Sequence, residues 1–276
     1  MNEIINCLDR EWWVHQRWGW MHDKQTPRAN CWNDPSAITI NSEGIVSLNI
    51  HRNLAVVDTN QKLVTNQWVE NGQFIPELYE KLKTEPNSLF TAEYGTGLLC
   101  SVENFGFGHY TLEAILPSGD YLWPAFWLHT DKPNSSEEID VFEAYSLTTN
   151  YQIIKKCLFS KRFAGWNIKS CLHSNNKKLK GTGVSSPDIE DFNQNPSTRI
   201  VKYEFHWGST YMAFYINDIV YRYILDTRIL DHFAKFDGSM FVVINNYIDG
   251  RYWKKFKIDP VTHTPMRIIS FEYKPL

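Results

Sequence analysis

The sequence predicts an all-β protein that folds as an antiparallel sandwich or barrel. Short segments of alternating apolar and polar residues dominate the 276-residue chain, and turn residues at 41–44, 117–120 and 217–218 separate them. Many short strands at this spacing are typical of sandwiches and barrels. Helix is scarce, because residues 77–83 and 227–235 are the plausible helical segments.

The predicted strands follow one another along the whole chain. In order, they are residues 37–40, 45–50, 97–102, 108–116, 122–128, 138–145, 201–207, 211–216, 219–225, 240–246 and 266–273. No long Gly/Ser linker, charged tail or fixed-period repeat interrupts them. We therefore expect one domain over residues 1–276.

The composition argues against several classes of protein. Hydrophobic residues make up 43% of the chain and charged residues 21%, as in ordinary globular proteins. The formal charge of −3 argues against nucleic acid as a partner, because phosphate binding needs a basic surplus. No segment approaches the roughly 20 apolar residues of a membrane span. The first residues also lack the pattern of a secretory signal.

Five cysteines, at positions 7, 31, 100, 157 and 171, leave at least one thiol unpaired within a monomer. No C-x-x-C motif occurs, which argues against a zinc finger and a thioredoxin-type site. We expect free, mostly buried thiols, and a pair between Cys157 and Cys171 remains the alternative.

Aromatic residues are abundant, at 15% of the chain with 11 tryptophans. Bulky core packing is one interpretation. The other is a set of exposed platforms, because the flat indole matches the apolar C–H face of a sugar ring. Composition leaves both open.

The segment 122–128 has two distinct faces if it is a strand. Alternation places Trp123, Ala125 and Trp127 on one side, and Pro124, Phe126 and Leu128 on the other. The second side fits a core between two sheets. The first places two indoles around a small residue, although a strand buried on both faces would show the same pattern.

A group of acidic residues follows in the segment 138–145. Glu138 and Asp140 share one face of a regular strand, whereas strict alternation turns Glu143 inward, where a buried carboxylate is costly. One extra residue near Val141 and Phe142, a β-bulge, would return Glu143 to the face of the other two acids. Bulges recur beside active sites because they redirect side chains.

Three acids on one strand face repel one another, and glycoside hydrolysis is a chemistry that needs them. A retaining enzyme requires a carboxylate nucleophile and a protonated carboxylic acid about 5–5.5 Å apart. A solvated acidic edge is the alternative for an isolated E-x-D-x-x-E pattern. The tryptophan-rich strand before it favours the catalytic interpretation.

The two motifs together resemble the signature of glycoside hydrolase family 16 in its bulged E-x-D-x-x-E form. Residues 107–114, 116–119, 214–218 and 243–246 also fall in the order of that family's strands and turns, so the likeness spans residues 38–273. The resemblance implies a β-jelly-roll sandwich of two curved antiparallel sheets, concanavalin A-like, with a substrate cleft on the concave face.

By motif position, the resemblance implies that Glu138 is the nucleophile, Glu143 the acid/base and Asp140 an assisting carboxylate. It places Trp123 and Trp127 in the cleft. Members act on β-1,3-glucans, mixed-linkage glucans, agars, carrageenans and porphyrans, usually outside the cell. The partner is thus a polysaccharide, and we expect a secreted or cell-surface monomer.

Further substrate contacts are expected at His173 and at Asn245, which lies in the segment resembling the family's penultimate strand. A histidine held by its strand neighbours is the alternative for His173. We expect neither a metal nor an organic cofactor, because the two-carboxylate mechanism needs none. The last strand also lacks the aspartate with which many members of the family hold calcium.

A basic stretch follows the acidic strand. Between Ala144 and Pro187 the chain has no Asp or Glu but eight basic residues, including Arg162. This asymmetry favours a sulfated galactan such as carrageenan or porphyran as substrate, with Arg162 binding an oxyanion. The competing interpretation is that the basic stretch is a solvated lysine-rich loop without a role in binding. The substrate would then be a neutral β-1,3-glucan. A non-catalytic carbohydrate-binding protein and a transglycosylase remain further alternatives.

Overall fold

The computed structural model describes residues 3–20, 31–58, 62–65, 68–71, 73–76, 80, 89–119, 121–146, 166–176, 179, 195–249 and 263–276. Its strands are β1 (Ile4–Cys7), β2 (Arg10–Trp13), β3 (Cys31–Asn33), β4 (Ile38–Ile40), β5 (Val46–Leu48), β6 (Ile50–Asp58), β7 (Val69–Glu70), β8 (Gln73–Phe74), β9 (Leu89–Thr96), β10 (Leu98–Ser101), β11 (Gly108–Ile115), β12 (Leu122–Thr130), β13 (Glu138–Ser146), β14 (Trp166–His173), β15 (Val201–Trp207), β16 (Met212–Ile216), β17 (Ile219–Ile224), β18 (Met240–Ile248) and β19 (Met266–Pro275). Helix α1 (Thr227–Phe233) and the 3₁₀ turns Pro35–Ala37 and Ala234–Phe236 accompany them among the fully described elements.

Two seven-stranded antiparallel sheets form the body of the protein. The first has the order β1-β2-β10-β18-β12-β13-β14, and the second has the order β17-β16-β15-β11-β19-β5-β4. A three-stranded sheet, β3-β9-β6, and the β7–β8 hairpin are smaller additions. This arrangement confirms the predicted all-β jelly-roll sandwich.

The second sheet shows the alternation expected of a strand with one face in the core. Along β15, the side chains of Val201, Tyr203, Phe205 and Trp207 are buried and the intervening ones are half-buried. In the first sheet, β18 is buried along its whole length. A central strand covered on both faces has this continuous apolar pattern.

The core lies between the two large sheets and is rich in aromatic rings. Phe126 and Phe142 of the first sheet are fully buried there. Phe142 packs against Tyr203 of β15 with ring centroids 4.2 Å apart. Phe126 meets Phe271 of β19 edge-to-face at 6.0 Å. The predicted inward face of the segment 122–128 is therefore confirmed.

Helix α1 forms where the sequence places the second helical segment. The Asp226 side chain accepts a hydrogen bond from the backbone N–H of Arg228, which caps the first turn. Ile229, Leu230 and Phe233 then bury one face of the helix in the core. The other predicted helix, at 77–83, lies largely outside the described residues.

One predicted strand is divided in two. Residues 45–50 form all of β5 and the first residue of β6, which belong to different sheets. Asn49 stands between them, and both its backbone N–H and its side-chain amide donate to the carbonyl of Ala37, at 2.8 and 3.0 Å. These bonds redirect the chain from the second large sheet to the three-stranded one.

The thiols agree with the sequence. Cys7, Cys31, Cys100 and Cys171 are free, and three of the four are buried, whereas Cys157 lies outside the described residues. Within the described part of the chain, no helix has the length and apolar character needed to cross a membrane.

Candidate active site

The predicted bulge is present in β13. On the β12 side, Phe126 pairs with Phe142 and the next residue, Trp127, pairs with Asp140, so Val141 is the extra residue. On the β14 side, the register shifts between Asp140, which faces Cys171, and Glu143, which faces Lys169. Val141 and Phe142 both enter the core as a result.

The bulge brings the three acids to one face. Glu138, Asp140 and Glu143 line a cleft of about 350 Å³ on the side of the first sheet that faces away from the core. The other lining residues are Trp123, Ala125, Trp127, His129, Ser136, Tyr145, Lys169, His173, Asn245 and Tyr247. A larger hollow of about 740 Å³ lies at the β1–β2 hairpin, far from these acids, and its Arg10 and Glu103 are paired with each other.

Glu143 is held by three side chains from three strands. Its Oε1 accepts hydrogen bonds from the indole N–H of Trp123 at 3.0 Å and from the hydroxyl of Tyr145 at 2.7 Å. Its Oε2 lies 2.7 Å from the ammonium of Lys169. The carboxyl group is thus positioned from β12, β13 and β14 together.

Glu138 and Asp140 share His173 as a neighbour. The Nε2 of His173 lies 3.1 Å from Asp140 Oδ2 and 3.6 Å from Glu138 Oε1. The hydrogen bond to Asp140, followed by one with Cys171, raises the pKa of His173 to about 11. His173 is therefore an imidazolium at neutral pH and donates to Asp140.

The three acids have different proton affinities. Burial, followed by the charge of Asp140, raises the pKa of Glu138 well above its usual range. Burial also raises the pKa of Asp140, although its hydrogen bond with His173 opposes the shift. Burial would raise the pKa of Glu143 too, but Lys169 and Tyr145 outweigh it and lower that pKa.

Of one proton shared among the three acids, the raised pKa values of Glu138 and Asp140 and the lowered pKa of Glu143 favour the Glu138–Asp140 pair and leave Glu143 ionised, which we call the resting distribution. The sequence suggested the opposite distribution, with Glu138 ionised and the proton on Glu143. The difference arises from Lys169 on β14, whose position beside Glu143 follows from strand pairing. The two distributions have the same number of protons, so they differ only in which carboxyl carries one.

The two cleft tryptophans act as hydrogen-bond donors and are largely covered. Trp123 is 7% exposed and Trp127 is 4% exposed. The Trp127 indole donates to the Oδ1 of Asn245 at 2.8 Å, and the amide of Asn245 donates to the Trp123 carbonyl at 3.3 Å. The structure thus brings all three to the cleft wall, and their role as sugar contacts stays a prediction.

Most of the predicted basic stretch, including Arg162, lies outside the described residues. Of its eight basic residues, Lys169 falls in the described part, where it belongs to the cleft. His173 reaches the cleft with its side chain 55% exposed. A contact between His173 and the substrate stays a prediction.

A group of possible metal ligands overlaps the acids. Atoms of Asp140, Glu143, Cys171 and His173 lie within 4.8 Å of one another. The ammonium of Lys169 and the imidazolium of His173 already face these carboxylates, so a divalent cation would meet two positive charges. The residues present fit a proton-sharing network better than a metal centre.

Among the cleft residues that the sequence did not indicate as site residues are Tyr145, Lys169 and Tyr247. Tyr145 had a signal, because it is two residues after Glu143 and so shares its strand face. Tyr247 extends the cleft from β18, where its hydroxyl donates to Asn33 at 2.7 Å and accepts from Gln16 at 3.0 Å. Lys169 and Tyr247 reach the site through sheet pairing, which has no local signal.

Comparisons with known proteins agree with this geometry. The sequence model of the family described as "Glycosyl hydrolases family 16" matches residues 51–259. A glucan endo-1,3-beta-glucosidase from Cryptopygus antarcticus is 25% identical over 182 residues, which cover 61% of this chain and 60% of that protein. The match thus spans less than two thirds of that relative.

Solved structures share the fold. The laminarinase catalytic domain from Thermotoga maritima MSB8 superposes with a TM-score of 0.55 at 15% identity, covering 90% of this chain and 84% of that one. An endo-1,3-beta-glucanase catalytic domain from Thermotoga petrophila RKU-1 gives 0.57 at 14% identity, with 91% and 87% covered. At these identities the likeness concerns the fold alone.

Proposed function

The chain belongs to glycoside hydrolase family 16, and from that premise we propose that it is a retaining endo-β-1,3-glucanase. The observation that carries the proposal is the bulged strand, which places Glu138, Asp140 and Glu143 on one wall of a cleft. The similarity to a curated glucan endo-1,3-beta-glucosidase supports the choice of substrate.

The mechanism uses two carboxyl groups in turn. The carboxylate of Glu138 attacks the anomeric carbon, and the carboxyl of Glu143 gives its proton to the departing glycosidic oxygen. A covalent glycosyl–Glu138 ester results. Glu143, now ionised, then takes a proton from water, and the hydroxide attacks the same carbon to release the sugar and restore both groups.

Asp140 and His173 support the nucleophile. The imidazolium of His173 lies beside both Glu138 and Asp140, so it stabilises negative charge on either carboxylate. Asp140 also shares a hydrogen bond with Glu138 and can take over its proton before attack. This transfer ionises Glu138, and Glu143 has to gain its own proton before it can act as the acid.

The sulfated galactan expected from the basic stretch ranks behind the neutral glucan. That expectation depended on Arg162 and its basic neighbours, which lie outside the described residues apart from Lys169. The Lys169 ammonium is paired with Glu143 at 2.7 Å. It is therefore already engaged within the protein, and it does not by itself favour a sulfated polymer.

The substrate is tested by measuring reducing ends released from laminarin, lichenan, agarose, porphyran and carrageenans. We expect laminarin to be cleaved fastest, with oligosaccharides as early products because the cut is internal. We expect that the rate of reducing-end release does not fall with rising ionic strength on any of these substrates. Cleavage of a sulfated galactan without any cleavage of laminarin would contradict the proposed substrate, and binding without release of reducing ends would favour a carbohydrate-binding protein.

Stereochemistry provides a separate prediction. If Glu138 forms the covalent intermediate, two displacements at one carbon return the anomeric centre to its starting configuration. Proton NMR of the first product, recorded before mutarotation, is expected to show the β-anomer. Initial appearance of the α-anomer would mean that water attacks directly, and the nucleophile assignment would then be wrong.

A further inference from the structure

Lys169 occupies the oxygen of Glu143 that an acid catalyst has to use. Oε1 accepts from Trp123 and Tyr145, and the Trp123 indole N–H can only donate. Oε1 therefore remains an acceptor while these two bonds last. Oε2 is the oxygen left to carry the transferable proton, and the Lys169 ammonium stands 2.7 Å from it.

We propose that Lys169 is a positioning residue that keeps Glu143 ionised in the resting enzyme and has to leave Oε2 before the acid step. This inference rests on the proposed function, because it concerns the protonation of that function's acid/base. An ammonium and an acid proton compete for the same oxygen, so Lys169 determines how often the reactive distribution is populated.

Lys169 has a second contact for its ammonium in the same position. Its Nζ lies 5.2 Å from the centroid of the Tyr145 ring, within the range of a cation–π contact. The side chain is 25% exposed, so its ammonium is not fully enclosed. An incoming sugar at Oε2 can displace the ammonium towards this ring without forcing a bare charge into an apolar environment.

Glu143 faces charged and titratable groups on every strand around it, and they share one cleft. On its own strand these are Glu138, Asp140 and Tyr145, on β14 they are Lys169, Cys171 and His173, on β12 His129, and on β18 Tyr247. Among these groups, Lys169 is the one in direct ion-pair contact with Glu143. The pKa of Glu143 is accordingly lowered, whereas that of Lys169 is raised, chiefly by Glu143 against the opposing effect of burial.

The first experiment compares pH profiles of kcat/KM for wild type, Lys169→Met and Lys169→Arg. Removing a cation raises the pKa of a neighbouring carboxyl, so Glu143 keeps its proton to higher pH. In the Lys169→Met variant, we expect the part of the kcat/KM profile that reports the ionisation of Glu143 to move to higher pH by about one unit or more. Arg retains the charge and is expected to keep the wild-type profile.

Lys202→Met is the matched control. Lys202 is also an ion-paired lysine, bonded to Glu204 and Asp218, but it lies on β15 of the opposite large sheet. Its removal is expected to leave the profile in place. An equal shift in Lys202→Met would show that the effect is a general one of net charge and would overturn the assignment.

The second experiment does not need activity. In the Glu138→Gln background with ¹³C-labelled glutamate, the carboxyl resonance of Glu143 is identified by its loss in the Glu143→Gln double variant. Its titration is expected to shift upward by about one unit or more when Lys169→Met is added. Lys169→Gln replaces Lys169→Met if the latter does not fold.

The two readouts separate the two hypotheses. An unchanged Glu143 titration in a folded Lys169 variant overturns the role of Lys169, whatever the substrate is. Absence of hydrolysis on all the polysaccharides overturns the proposed function and leaves the titration result standing.

Discussion

Replacing Glu138 by Gln is expected to lower kcat on laminarin by on the order of 10⁴-fold or more, because an amide cannot form the glycosyl ester. The protein should stay folded. The Glu138 side chain is 27% exposed at the cleft surface, and Gln has nearly the same shape. Reducing-end release gives the rate, and a thermal melt followed by circular dichroism gives the stability.

Asp140→Asn is the comparison for this variant. Asp140 neighbours Glu138 and His173 but forms no bond to the sugar, so its loss should cost less than the loss of Glu138. Near-normal turnover in a folded Glu138→Gln protein, or a larger loss in Asp140→Asn than in Glu138→Gln, would remove Glu138 from the role of nucleophile.

Replacing Glu143 by Gln is expected to lower hydrolysis of laminarin by about 10²–10⁴-fold, the usual contribution of general acid–base catalysis. The loss should depend on the leaving group. A nitrophenyl β-glucan oligosaccharide loses a phenolate that needs no proton, so formation of the intermediate should be nearly as fast as in wild type. Stopped-flow detection of nitrophenolate measures that first step separately from turnover.

Glu204→Gln is the matched control for this change. Glu204 is likewise paired with a lysine, Lys202, at 3.4 Å, but it lies on β15 outside the cleft. Its variant should retain wild-type rates on both substrates. If Glu143→Gln reduced the cleavage of both substrates equally, the defect would lie in binding or folding, and Glu143 would not be the acid.

Local pattern determined a large part of the fold. Strands such as β15 and β18 were predictable because a strand alternates its side chains with a period of two or, when covered on both faces, is continuously apolar. The bulge in β13 followed from the same rule. Glu143 sits out of phase with Glu138 and Asp140, and its burial in the core would be costly, so one extra residue was required.

Other elements had no such pattern. The strands β1, β2, β3, β7, β8, β9 and β14, and all of β6 after its first residue, were not predicted, and β14 is the one that matters for the site. Its segment, Trp166–His173, shows only a broken alternation, because Ser170 interrupts the apolar series of Trp166, Ile168 and Leu172. It becomes a strand by pairing with the exposed edge of β13, which is a tertiary event.

The sequence by itself determined which chemical groups the site has, because Glu138, Asp140 and Glu143 belong to one strand and a single bulge in that strand places all three on one face. Only the tertiary structure decided how those groups are charged. Of the neighbours that set their proton affinities, Lys169 and His173 come from another strand, β14, and reach the acids only through strand pairing. A pKa depends on burial and on charges within a few ångströms, and those distances exist only once the strands have paired.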